Sequence, residues 1–333
     1  MSSRAGQPDT TFLTERRDFS QSRMREFRRR LQGLTELAEL QGICIYATGS
    51  YARGEASEHS DIDLFFLHTG EPRSATVSRL KELRLFARVI EIGQEMNFPT
   101  FSNDGEFLKV LYIDEMLNLL GGKEDDFRNY FTARMLMLLE SQPLANRRLY
   151  LETIDRIVDA YFRDYPDHAT DFKPVFLIND IIRFWKTLCL NYEHRRNKPE
   201  NDPERKRRQQ VKNFKLKFSR LMTCFGTVVG ICAMSRPITK SKIVTLTKKA
   251  PLDRFLAAAT KLDELSVQCQ EILDDYAWFL DFTRLDIDHL RALFEQKPRK
   301  KEMFRRADLF GERIYATLDI LARKNNYGRY LVV

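Results

Sequence analysis

Ile43-Cys-Ile-Tyr-Ala-Thr-Gly-Ser-Tyr-Ala-Arg-Gly-Glu-Ala-Ser-Glu-His-Ser-Asp-Ile-Asp-Leu-Phe-Phe-Leu67 is the stretch on which the reading of this chain turns. It opens on a short apolar run, Ile43 to Ala47, turns at Thr48-Gly49-Ser50, and closes on Asp61-Ile62-Asp63 followed by four apolar residues. On a β-strand, residues i and i+2 point to the same face. The spacing therefore predicts Asp61 and Asp63 side by side, with Ile62 and Leu64 turned the other way into a core. Two like charges held together destabilise a fold unless a cation lies between them. The pair reads as a divalent metal site for Mg²⁺ (or Mn²⁺), an ion of the kind that combines a few carboxylates with substrate phosphates.

Gly49 and Ser50 complete the constellation. Glycine lets the backbone approach a ligand closely. Ser50 opens the following helix, where free N–H groups and a hydroxyl suit a phosphate. Ten residues lie between Ser50 and Asp61. A Gly-Ser turn followed at this distance by Asp-hydrophobic-Asp resembles the signature of the nucleotidyltransferase superfamily of DNA polymerase β. The fuller form Gly49-Ser50-x-Ala52-Arg53-Gly54-Glu55…Ser60-Asp61-Ile62-Asp63-Leu64 is similar to the GlnD-like branch, which includes the PII uridylyltransferases.

The resemblance implies an α+β fold: a small mixed β-sheet palm over residues 11–122, then a predominantly α-helical bundle over 123–333, after a disordered tail at 1–10. It also implies transfer of a nucleoside monophosphate from an NTP to an acceptor hydroxyl, with release of pyrophosphate and with Asp61 and Asp63 as metal ligands. A third carboxylate is expected from a later strand, read at 106–113. Glu106 is the candidate and Asp104 the alternative; Lys109 stands in mid-strand, a departure from the pattern. In many relatives the helical domain supplies a lysine and a hydroxyl to the triphosphate. Here Lys186, on a helix with Asn179, Asp180 and Arg183, and the pair Lys215 and Ser219, at i and i+4 and so on one helix face, are the candidates. Arg53 is expected either to meet a phosphate or to hold Glu55 and Asp61 in place. The acceptor stays open between an RNA end, a nucleotide and a protein. The rival from another class is a catalytically silent nucleotide-sensing or protein-interaction module on the same fold.

The rest of the chain bounds these readings. Its 333 residues suit about two domains. No apolar run approaches the ~20 residues that span a bilayer, and the first residues lack an apolar signal core. The five cysteines are scattered without metal-ligand spacing, which fits reduced thiols and a cytoplasmic location. No Gly-x-x-x-x-Gly-Lys-Ser/Thr loop is present, which disfavours a P-loop ATPase. The formal net charge of +8 favours an anionic partner such as a nucleotide or nucleic acid. Apolar periodicity predicts helices at 12–40 and 77–95, and an almost wholly helical chain beyond Gly121-Gly122. The exceptions are a basic loop at 193–210 and a short terminal strand at 330–333.

Overall fold

Ile43–Thr48, buried along its whole length, forms the interior of a four-stranded sheet whose order is β3-β2-β1-β4. The computed structural model describes residues 11–70, 78–101, 105, 108–196 and 203–331. These fall into two units, Thr14–Asp164 and Tyr165–Val333, the latter grouped with Met1–Leu13.

The first unit runs α1 (Thr11–Gln32), α2 (Thr35–Glu39), β1 (Ile43–Thr48), α3 (Gly49–Arg53), β2 (Asp63–His68), α4 (Arg79–Glu95) and β3 (Val110–Tyr112). It continues through α5 (Ile113–Asn118), α6 (Lys123–Phe127), α7 (Tyr130–Leu139), β4 (Gln142–Ala145) and α8 (Arg147–Ala160). β1 lies antiparallel to β2, in register from Ile43↔His68 to Thr48↔Asp63, and antiparallel to β4; β2 and β3 are parallel. The sheet is therefore mixed, as the sequence predicts. Strand alternation sends Ile43, Ile45, Ala47, Leu64 and Phe66 into a core with Met24, Phe27 and Leu31 of α1 and Leu85, Phe86 and Val89 of α4. On the other face Tyr46 stacks on Phe65 at 5.4 Å and donates its hydroxyl to the Ala133 carbonyl of α7.

α6 and α7 are joined through a fully buried bidentate pair, Arg134 to Asp125 at 2.9 and 2.7 Å. Burial is the largest single influence and opposes the charge, but hydrogen bonding and attraction from Asp125 and Tyr161 together outweigh it, so the Arg134 guanidinium is held above its ordinary pKa.

The second unit is helical: α9 (Tyr165–His168), α10 (Val175–Arg196), α11 (Pro203–Lys215), a π-turn at Leu216–Arg220, α12 (Leu221–Cys232), α13 (Lys240–Thr247) and α14 (Pro251–Ala259). α15 (Ser266–Phe282), α16 (Ile287–Glu295), α17 (Lys297–Lys324) and α18 (Gly328–Leu331) complete it. An aromatic core centred on Phe214 and Phe218 fills it, with Phe218 stacked on Phe279 at 4.8 Å. Gly226 of α12 admits α14, since a Cβ there would stand 2.8 Å from the Pro251 carbonyl.

Several expectations are corrected. The chain beyond Gly122 is almost wholly helical, with one unexpected strand, β4, at the edge of the sheet. The strand expected at 106–113 is shorter: β3 is Val110–Tyr112, and Ile113 already begins α5. The basic loop expected at 193–210 is helical over most of its length. α10 continues to Arg196, and α11 starts with Pro203 at its first position, where a missing N–H costs nothing. Tyr330 and Leu331 end a helical turn, not a strand.

Candidate active site

The apolar run of β1 delivers the chain to Gly49, whose φ of +70° lies in the left-handed region. A Cβ at that position would stand 2.7 Å from Asp63 Oδ2, so only glycine fits between the turn and this carboxylate. The contact follows from register, because Thr48 pairs with Asp63 across the β1–β2 ladder. Ser50 is half-buried at the start of α3. The helix ends at Gly54, at φ +74°, with the Glu55 N–H donating to the Ser50 carbonyl at 2.8 Å.

Asp63 is the first residue of β2. Asp61 lies two residues before the strand, yet the alternation already holds: Asp61 and Asp63 are half-buried, while Ile62 and Leu64 are 1% and 2% exposed. The expected presentation of the two acids away from the core is present. The connecting loop is fastened to α1 by a relay, in which the Ala56 N–H donates to Ser20 Oγ at 3.1 Å and that hydroxyl donates to the Arg16 carbonyl at 2.7 Å. Further along, the Ser57 N–H donates to Ser60 Oγ at 3.0 Å.

Arg53 faces inward. Its Nε meets Glu55 and its Nη1 meets Glu140, each at 2.6 Å, and the three side chains are 7%, 4% and 0% exposed. Of the two roles expected for Arg53, the structure shows the holding of Glu55. Glu140, just past the end of α7, is the second carboxylate where Asp61 was expected. The triad fixes α3 against the approach to β4, and Gln142 Nε2 adds a bond to the Ala52 carbonyl at 2.9 Å.

Tyr51, 1% exposed, packs edge-on against Phe98 at 5.2 Å, and the Arg23 guanidinium lies over the same ring at 4.3 Å. Burial pushes the Tyr51 phenol above its ordinary pKa. The Asp61 carboxylate adds to that rise, and Arg23 opposes it. Tyr51 thus sits within electrostatic reach of Asp61, with Arg23 beside it. Sequence reasoning did not find Ser20, Arg23, Tyr51 or Glu140 as parts of this site. The only signal was a polar residue on an otherwise apolar stripe, which is commonplace.

The remaining candidates are placed as follows. Glu106 and Asp104 lie outside the described residues. Among the described residues, no cluster of three or more His, Cys, Asp or Glu side chains has metal-binding geometry. Lys109 is half-buried just before β3. Lys186 is exposed on α10, and Arg183 there lies 3.4 Å from Asp180. Lys215 is exposed, but Ser219 is 6% exposed and its hydroxyl donates to the Lys215 carbonyl at 3.2 Å. The Ser219 hydroxyl is thus turned to its own helix backbone, while the Lys215 side chain is open to solvent. Ser219 lies within the π-turn at Leu216–Arg220.

Residues 26–147 match a family model described as a nucleotidyltransferase domain. The matched span runs from within α1 through β4, so it takes in the whole sheet and both ends of the Gly49–Asp63 contact. The match supports nucleotidyl transfer in general. No curated protein matches the chain significantly. No helix among the described residues is long and apolar enough to cross a membrane.

Proposed function

We propose that the chain is a metal-dependent nucleotidyltransferase of the GlnD-like kind, moving an NMP from an NTP to an acceptor hydroxyl, with residues 14–164 carrying the chemistry. The observation that carries this reading is the Gly49–Asp63 contact: a glycine at positive φ, closed against a strand-borne carboxylate, immediately before a half-buried serine.

The donor set suits Mg²⁺ or Mn²⁺. Asp61 and Asp63 are both half-buried, and the missing Cβ of Gly49 lets the Asp63 carboxylate lie against the turn. Asp61 and Asp63 would hold the ion, which when bound shields the triphosphate and lowers the pKa of an acceptor hydroxyl. The chain's own residues position the reactants. Ser50 offers its hydroxyl and N–H to a phosphate oxygen. The Arg53–Glu55–Glu140 triad keeps α3 rigid, so the Gly49 turn is held ready before substrate arrives, and positioning supplies much of the rate in chemistry of this class.

Incubation with each α-labelled NTP and Mg²⁺ or Mn²⁺, alone and with RNA or lysate, tests the reading. Transfer of label that requires Asp61 and Asp63 supports it. An NTP-dependent rise in melting temperature without transfer to any acceptor favours a sensing module instead.

A further inference from the structure

The net charge of +8 is not shared between the units. Residues 14–164 hold 21 Lys and Arg against 25 Asp and Glu, whereas the remainder of the chain holds 34 against 22. The basic excess therefore belongs to the helical unit, and part of it is gathered by the fold. Two ion pairs fasten the start of α11 to α16: Arg207 Nε to Glu295 at 2.9 Å and Arg291 Nη1 to Glu204 at 3.1 Å. Glu295 ends α16, and Lys297 begins α17 two residues later. The pairs thus bring Lys206, exposed on α11, into the neighbourhood of Lys297, Arg299, Lys300 and Lys301.

The start of α17 is unusual in its own right. It carries four cations and no acid among its first five residues, at the end where the helix dipole already repels positive charge. The nearest acid, Glu302, is taken by Arg305 at 2.6 Å. Lys297, Arg299 and Lys301 are all exposed. None of the exposed large hydrophobic side chains among the described residues lies on α11 or in the first turns of α17, so the patch offers a membrane no apolar anchor.

We infer that this two-helix patch is a docking surface for single-stranded RNA, contacted through its phosphates. A flexible strand can follow cations set on two separate helices, and its end carries the hydroxyls that the transfer proposed above needs. The choice of RNA among polyanions rests on that reading. The contacts are sequence-independent, because exposed Lys and Arg side chains meet phosphates and position the strand without reading bases.

The experiment is a fluorescence-anisotropy titration of a labelled mixed-sequence RNA 20-mer with the full chain, without NTP, at several salt concentrations. It is repeated with Lys297→Glu/Lys301→Glu and with a control of equal charge change in the same unit, Lys248→Glu/Lys249→Glu. The patch variant is expected to weaken RNA binding about tenfold and to flatten the salt dependence by about one to two counterions, against about twofold or less for the control. Its melting temperature should stay or rise, since acids suit a helix N-terminus, so lost binding cannot be put down to unfolding.

Equal losses in the two variants, absence of RNA binding by the wild type, tighter binding of duplex DNA of the same length, or patch-dependent binding to phosphatidylserine vesicles without RNA binding would each overturn the proposal. Asp63→Asn should leave RNA binding unchanged. RNA binding without transfer would therefore count against the enzymatic reading alone, and transfer without RNA binding against the docking surface alone.

Discussion

The turn at Gly49 and the π-turn at Leu216–Arg220, which lies inside a continuous helical run, treat a serine in opposite ways. Ser50 begins a helix. The N–H groups around it have no carbonyl one turn earlier, and its side chain is half-buried at the surface of the first unit. Ser219 sits deep in a continuous helical run. The Lys215 carbonyl is within its reach, and its hydroxyl is donated there. Thr223 and Thr227 repeat the pattern, donating to the carbonyls of Ser219 and Thr223 at 2.8 and 2.9 Å. A hydroxyl inside a helix meets a backbone acceptor four residues back; at a helix start the backbone offers donors instead. The same side chain is fitted to a phosphate in one setting and satisfied by its own helix in the other.

The largest effect should come from the acids that the first turn presents. Asp63→Asn removes a charge from the carboxylate closed against Gly49. If the site transfers nucleotides, the rate measured with α-labelled NTP should fall roughly a thousandfold or more, since loss of metal-phosphate stabilisation costs several kcal/mol and each ~1.4 kcal/mol is tenfold. Asp61→Asn should act alike. Full activity in both would remove the first turn from the chemistry and with it the contrast drawn above.

Next in size is the support behind that turn. Arg53→Met removes a buried cation bonded to two buried carboxylates, Glu55 and Glu140, which should cost about 3–5 kcal/mol by denaturant unfolding. The triple change Arg53→Met/Glu55→Gln/Glu140→Gln should recover part of that loss, because the carboxylate charges go with the cation. A single change as mild as a surface substitution would mean that the triad does not hold α3.

Gly49→Ala should be smaller in stability and sharper in function. It places a Cβ 2.7 Å from Asp63 Oδ2 at a φ of +70°. A cost of about 1–3 kcal/mol in unfolding is expected, with transfer lost beyond what unfolding explains. A variant with unchanged activity would show that Asp63 can move freely away from the turn.

The two regions also differ in how far they could be read from sequence. β1 and β2 were legible because a period of two, a glycine turn and buried neighbours all agree over 25 residues. Residue spacing on a strand translates directly into a face, and the half-buried acids and buried Ile62 and Leu64 follow. β4 was not legible: Gln-Pro-Leu-Ala is short and carries Pro143, which marks a strand as an edge at best. The Arg53–Glu140 pair was invisible because 87 residues separate its partners. The helical start at Pro203 within the stretch expected as a loop was not legible either, because a proline is at home both in loops and in the first turn of a helix. The π-turn escaped because nothing in Lys212–Arg220 departs from an ordinary helical pattern.

The smallest expected effect is the sharpest test of the contrast. Ser219→Ala removes a hydroxyl whose hydrogen bond stays within its own helix. The Lys215 carbonyl loses an extra donor, and the side chain loses one polar atom in a buried setting. Removing a bond of this kind costs about 0.5–1.5 kcal/mol at most, and deleting the hydroxyl leaves no donor stranded. The change in unfolding free energy should therefore lie at or below about 1 kcal/mol. NTP affinity, read by the melting shift with Mg²⁺ and each NTP, should equal that of the wild type. Ser50→Ala, run beside it, should weaken the NTP-dependent shift, because that hydroxyl begins a helix and is half-buried at the surface. If Ser219→Ala weakens NTP binding tenfold while Ser50→Ala does not, the π-turn serine serves the ligand after all, and the roles assigned to the two turns are reversed.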